Sequence, residues 1–213
     1  MGQKIHPIGF RLGPLYTWTS RWFANSRDYH KYVIEDSIIR KSLMAKLHIA
    51  GIARVEIERS INKMDVIIFV SKPGLVIGRG GTGLDDLKKY LLNLLKIKEN
   101  MKNAPKIDIR VEPIKEPNLD AYLVATNISD QLIKRMQAKR AMNQALEKVM
   151  QAGAKGARII LSGRIGGAEI ARREKVQSGV LPLSTLRAKI DFARVASLTK
   201  SGYVGVKVWI CKR

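Results

Sequence analysis

The glycine-rich joint Lys72-Pro73-Gly74-Leu75-Val76-Ile77-Gly78-Arg79-Gly80-Gly81-Thr82-Gly83 constrains the fold of this chain more than any other stretch. It follows the apolar run Val66-Ile67-Ile68-Phe69-Val70 and leads into an amphipathic segment from Leu84 to about Lys96, so it connects a strand to a helix. Gly78, Gly80 and Gly81 lack a Cβ, which lets backbone amides approach a bulky anion and adopt dihedrals that other residues resist. The helix that follows presents unpaired amides and the positive end of its dipole at the same place, and Arg79 adds a full charge. Thr82 with Asp85 three positions on resembles a capping pair and predicts where the helix starts.

Three readings fit the joint. Gly78, Gly80 and Gly83 satisfy the dinucleotide pattern G-x-G-x-x-G, while Gly78-Arg79-Gly80-Gly81 satisfies the G-x-x-G of a KH nucleic-acid clamp. A purely structural turn is the third. The dinucleotide fold requires a parallel strand after the helix, ending in an acidic residue about twenty positions past the loop. Glu99 has that spacing, but Lys96-Ile97-Lys98-Glu99-Asn100-Met101-Lys102-Asn103 has no strand character.

The flanking order selects the clamp. Ser26 to Ile49 reads as a helix with Tyr29, Tyr32, Val33, Leu43, Met44 and Leu47 largely on one side and Gly51 ending it. Val55 and Ile57 alternate with Glu56 and Glu58 as a half-buried strand, and Val66–Val70, apolar on both faces, is central in its sheet. After the helix, Ile107, Ile109 and Val111 form a third strand. Helix, strand, strand, glycine joint, helix, strand is the type II KH arrangement.

Charge sets the partner class. The 213 residues carry 39 Lys and Arg against 18 Asp and Glu, a formal net charge of +21, and the sequence pI is about 10.3. Such an excess repels itself unless neutralised, and polyphosphate is the common neutraliser. A membrane partner is not expected, because no run of eighteen apolar residues occurs and neither end reads as a strongly basic amphipathic helix. One cysteine, Cys211, cannot form an internal disulfide, and Met1–His6 has no apolar signal core; the chain reads as soluble in a reducing compartment. Catalysis finds no support. His6, His30 and His48 lie outside metal-ligand spacing, and neither a P-loop nor a nucleophile elbow occurs, so no catalytic residue, metal or cofactor is expected.

The expected fold class is α+β in four segments: an extended N-terminal arm (1–17), the KH domain with helices on a three-stranded sheet (18–112), a linker (113–118) bracketed by Pro113 and Pro117, and a C-terminal α+β domain (119–213) with two helices on a mixed or antiparallel sheet. From Met1 to about Asn25 the sequence is rich in Gly, Pro and aromatics without periodicity and is expected to be extended and to order on a partner, with Lys4, Arg11 and Arg21 meeting phosphates. In the last segment, two apolar stripes run from Leu119 to Met136 and from Ala138 to Met150, and nothing between them stops a helix. Lys134, Arg135, Lys139 and Arg140 bunch on the polar side, either as a solvated face or as an RNA contact. Strands are expected at Arg158–Ser162, Leu186–Phe192 and Val204–Ile210, with a loop and strand start over Gly163–Arg173 whose glycines and arginines suit phosphate.

Four runs resemble one family: Met1-Gly2-Gln3-Lys4-Ile5-His6-Pro7, Gly74-Leu75-Val76-Ile77-Gly78, Ser162-Gly163-Arg164-Ile165-Gly166-Gly167-Ala168-Glu169-Ile170-Ala171-Arg172, and Gly205-Val206-Lys207-Val208-Trp209-Ile210 are similar to bacterial-type small-subunit ribosomal protein three. The resemblance covers essentially the whole chain. It implies a two-domain protein of the small-subunit head, beside proteins ten and fourteen, that binds ribosomal RNA and lines the entrance of the messenger RNA channel. The implied location is ribosome-bound, in the cytoplasm or in the matrix or stroma of an organelle. The family's message-gripping residues carry across to Lys139, Arg140 and Asn143, joined by Arg135; the family usually has arginine at the first and lysine at the third. Lys139 keeps the charge without the planar fork, and Asn143 loses it. The KH loop (Gly78, Arg79, Gly80, Gly81) and Lys4, His6, Arg11, Arg164, Arg172 and Arg173 are the implied RNA contacts elsewhere. A free KH-type RNA-binding regulator is the alternative.

Overall fold

The structure, a computed structural model, describes residues 5–95 and 106–212. Its α+β architecture falls into two compact units: Trp18–Lys115, and the residues from Glu116 onward joined by the N-terminal segment through Thr17.

In the first unit, β1 (Ser20–Arg21), β2 (Ile52–Ser60), β3 (Lys63–Val70) and β4 (Lys106–Pro113) form one sheet in that order. β3 is antiparallel to β2 and parallel to β4. Helices α2 (Ser26–Lys46) and α4 (Thr82–Leu94) supply Ile39, Leu43, Leu87 and Leu91 to a core shared with Ile57, Val66, Ile68 and Val70. The sheet has four strands where three were expected, because Ser20–Arg21 pairs in parallel with Ile57–Glu58 at its edge. Arg21, expected on phosphate, instead bridges Glu58 at 2.7 Å and Glu56 at 3.1 Å.

The buried face of α2 differs from the expected one. Tyr29 and Val33 are exposed, while Asp36, Ile39 and Leu43 are buried. The aromatic side chains pack on Trp22, with ring centroids 5.3 Å away for Tyr29 and 5.5 Å for Tyr32. Asp36 accepts from Trp22 Nε1 (2.8 Å), Ser20 Oγ (2.7 Å) and the Arg59 guanidinium (2.6 Å), so the chain before α2 is pinned to it by a buried carboxylate.

The second unit is built on an antiparallel sheet in the order β6-β5-β8-β7, from β5 (Gly156–Gly163), β6 (Arg172–Gly179), β7 (Ile190–Thr199) and β8 (Gly202–Cys211). Helices α5 (Ala121–Ile133) and α6 (Ala138–Gln151) close one face over Ala125, Ile128, Met142, Ile159, Val206 and Val208. On the sheet's other side a smaller apolar cluster gathers Ile160, Ile190, Trp209 and Cys211. His6 meets Phe192 of that cluster edge-on at 5.0 Å.

Over residues 5–17 the N-terminal segment is folded and not extended as expected. It contains the short helix α1 (Pro7–Phe10), and Arg11 behind it is fully buried. The Arg11 guanidinium donates to the carbonyls of Ala188 (2.8 Å), Leu183 (2.9 Å), Thr185 (2.9 Å), Pro7 (3.1 Å) and Pro182 (3.4 Å). This corrects its assignment as an RNA contact, because no solvent face is left to meet a phosphate. It also explains why Leu186–Lys189 is a turn instead of the start of a strand: neighbouring carbonyls answer Arg11, and the ladder begins at Ile190.

The break between α5 and α6 is a Schellman closure. The amide of Arg135 donates to Leu132 O and that of Met136 to Gln131 O, both at 3.0 Å. Arg135 occupies the left-handed position, φ 63°, the one non-glycine with positive φ among the described residues.

Candidate nucleic-acid interface

In the KH-type unit the joint after β3 begins with a short helix, α3 (Pro73–Ile77), then turns through Gly78 and the single turn Arg79–Gly81 into α4. Gly78, Gly80 and Gly81 all have positive φ (70°, 63° and 82°), and Gly78, Arg79 and Gly80 are exposed. A Cβ on Gly80 or Gly81 would meet nothing within 4 Å, so the open side of the turn is free for a ligand's backbone. Gly83 has the opposite role: a Cβ there would lie 2.5 Å from Val76 O and 2.9 Å from Ile77 O, so its hydrogen lets α3 and α4 close on each other. The expected capping pair does not form. Gly81 is the cap, and Thr82 Oγ1 turns back to donate to Arg79 O at 3.0 Å.

Several cations on β3, β4 and α4 of this unit are answered internally. Lys63 bridges Asp65 (2.8 Å) and Asp108 (3.4 Å), Lys88 reaches Asp108 (3.5 Å) and Arg110 reaches Asp65 (3.5 Å). The hydrogen bond to Asp65 holds the Lys63 ammonium above its ordinary pKa, against partial desolvation and with help from Asp108. For Asp108, burial pushes upward, but the hydrogen bonds and charges of Lys63 and Lys88 outweigh it and keep the carboxyl below its usual value.

The second unit carries the other candidate face. α6 buries Ala138, Ala141, Met142, Ala145, Leu146 and Val149, which leaves Lys139, Arg140 and Asn143 together on its exposed side. The side chains of Arg135, Lys139 and Arg140 have no hydrogen-bond or ion-pair partner among the described residues. Of the glycine-run arginines, Arg164 is exposed and held by Ala168 O (2.8 Å) and Ser201 O (3.2 Å). Arg172 pairs with Glu174 at 3.3 Å, and Arg173 is exposed on β6. His6 caps α1, accepting from Gly9 N at 3.4 Å. Lys4, like Glu99 and the expected helix end at Lys96, lies outside the described residues.

Sequence reasoning missed two parts of this surface. Lys200 and Ser201, in the β7–β8 turn, stand beside the glycine run through the Arg164–Ser201 hydrogen bond, a proximity that only the strand pairing creates. The strand β6 was legible only at its start, because its charged residues alternate with half-buried ones as on any solvated edge.

Among the described residues no His, Cys, Asp and Glu cluster is arranged to hold a metal, and no helix is long and apolar enough to cross a membrane. The strand–helix order and the glycine turn define a KH-type nucleic-acid-binding protein, and the KH domain family matches residues 38–119. The C-terminal domain of ribosomal protein S3 matches residues 128–210. Small ribosomal subunit protein uS3 of Caldicellulosiruptor bescii is 49% identical over 212 residues, covering 100% of this chain and 92% of that one. The uS3 proteins of Clostridium novyi and Pelagibacter ubique are each 43% identical over the same length, with 93% and 90% of their chains covered. The chain belongs to the uS3 family of small ribosomal subunit proteins, structural components and not enzymes.

Proposed function

We propose that the chain is a structural constituent of the small ribosomal subunit head that binds ribosomal RNA and lines the entrance of the messenger RNA channel, positioning and helping to unwind incoming message. Residues 18–112 act as the RNA-binding KH domain, 113–118 as a linker and 119–213 as the C-terminal domain. Arg135, Lys139 and Arg140 grip message, with Asn143 supplying an uncharged polar contact. The loop Gly78–Gly81 and Lys4, His6, Arg164, Arg172 and Arg173 meet ribosomal RNA, and proteins ten and fourteen are the neighbours. Unwinding is passive: cations that hold single strands shift the duplex equilibrium without consuming a cofactor. The observation that carries this reading is an exposed cationic edge on α6 without partners among the described residues, in a chain of net charge +21.

The test is the salt dependence of binding to single-stranded RNA. Replacing Lys139 and Arg140 by alanine removes two phosphate contacts, and the slope of log K against log salt falls by about 1.4, roughly 0.7 per contact. An unchanged slope would make both side chains ordinary solvated charges.

A further inference from the structure

A cavity of about 480 Å³ lies within the second unit, between the α5–α6 turn, the glycine turn at Ile165–Gly167 and the β7–β8 turn. That volume is in the range of small-ligand sites, roughly 300–1,000 Å³. Its wall is apolar where Ile133 (52% exposed) and Met136 (37% exposed) stand uncovered. The rest of its lining brings five cations, Arg135, Lys139, Arg164, Arg172 and Lys200, against one carboxylate, Glu174. Glu174 answers Arg172, so the other four have no acidic partner among the described residues. Arg164 is held in place by its bonds to Ala168 O and Ser201 O, which leave Nη2 unpaired among the described residues. Gln137 gives α6 no side-chain cap, so the positive end of a 14-residue helix also lies at the cavity. Arg135 and Lys139 are shared with the surface proposed to grip message, whereas Arg140 and Asn143 lie outside the lining.

A ligand that satisfies both halves is apolar in one part and anionic beside it, a combination that a nucleotide within a strand supplies. Resting on the RNA-binding reading above, we infer that this cavity receives one nucleotide turned out of single-stranded RNA, its base against Ile133 and Met136 and its flanking phosphates on Arg135, Lys139, Arg164 and Lys200. The site is indifferent to sequence, because every base offers the same apolar face.

Fluorescence anisotropy of the full chain tests this with labelled oligouridylate of five nucleotides and the same strand made abasic at every position. Losing the bases while keeping every phosphate weakens binding by about tenfold, as burial of roughly 50–60 Å² of apolar base surface provides. Met136→Ser and Ile133→Ser, both at exposed positions and each checked by its melting curve, weaken the intact strand by a similar factor and leave the abasic strand unchanged. Equal affinity of the parent for the two strands, or equal losses for both in the serine variants, overturns the inference while the RNA-binding reading stands. Oligoglutamate that displaces the intact strand from the parent but not from Met136→Ser assigns the cavity to an acidic protein segment and overturns it too. If neither strand binds at low salt, the RNA-binding reading falls with it.

Discussion

Replacing Arg135 separates the cost of its backbone from the use of its charge. An L-residue in the left-handed region costs about 1–2 kcal/mol relative to its ordinary conformations. Arg135 sits there at φ 63° because the closure of α5 through Leu132 O and Gln131 O requires it. Glycine removes that cost but loses more freedom on folding, an offset of about 0.5–1 kcal/mol. Arg135→Gly is therefore expected to stabilise by about 0.5–1 kcal/mol, which raises Tm by about 2–4 °C at the upper end. Arg135→Ala keeps the strained dihedral and loses the same cation, so its melting point stays at or below that of the parent. Both variants lower the salt slope of single-stranded RNA binding by about 0.7, the value for one phosphate contact. Thermal unfolding by circular dichroism and anisotropy titrations at several salt concentrations supply the two readouts. A glycine variant that melts no higher than the alanine variant refutes the strain argument. A slope that matches the parent refutes the role of the charge.

Other perturbations test the frame that holds these surfaces. Asp36→Ala strips the Arg59 guanidinium of a buried partner and leaves Trp22 Nε1 without its acceptor, so a loss of about 3–5 kcal/mol is expected in denaturant unfolding; a loss under 1 kcal/mol would mean that water replaces the carboxylate. Gly83→Ala places a methyl 2.5 Å from Val76 O and is expected to cost about 1–3 kcal/mol despite alanine's better helix propensity, whereas the open site at Gly80 pays only its φ strain on the same substitution. Asp120 caps α5 through the amides of Tyr122 (3.0 Å) and Leu123 (3.2 Å), while burial and then the charge of Asp191 push its carboxyl above the usual value. A raised acid contributes fully below its unfolded pKa and loses that contribution as pH rises through the folded one. Asp120→Asn, which keeps an acceptor without the charge, is thus expected to equal or exceed the parent in stability at about pH 7, with the margin shrinking toward pH 4; Asp120→Ala loses about 1 kcal/mol. Denaturant unfolding at the two pH values reads both.

How far the sequence could be read depended on whether local chemistry or distant partners decided each element. The KH-type order was legible because alternation in β2, the apolar run of β3 and the glycine joint are local signals. The α5–α6 break was not, because its left-handed position holds Arg135 where glycine is the usual stop signal. The buried face of α2 was misjudged since Trp22 draws Tyr29 and Tyr32 aside and a carboxylate, Asp36, occupies the core position. Arg11 looked like a phosphate ligand because a lone arginine in a polar, broken segment gives no hint of carbonyls more than 170 positions away. The KH loop and the α6 face were both named residue by residue; the cavity beside the second glycine run was not, since strand pairing alone brings Lys200 and Ser201 to it.

Density-gradient fractionation of a cell extract tests the central claim most directly. The chain is expected to travel with small ribosomal subunits and to remain there through a moderate-salt wash. Recovery of most of it at the top of the gradient, with other small-subunit proteins in the particle fractions, would contradict the account.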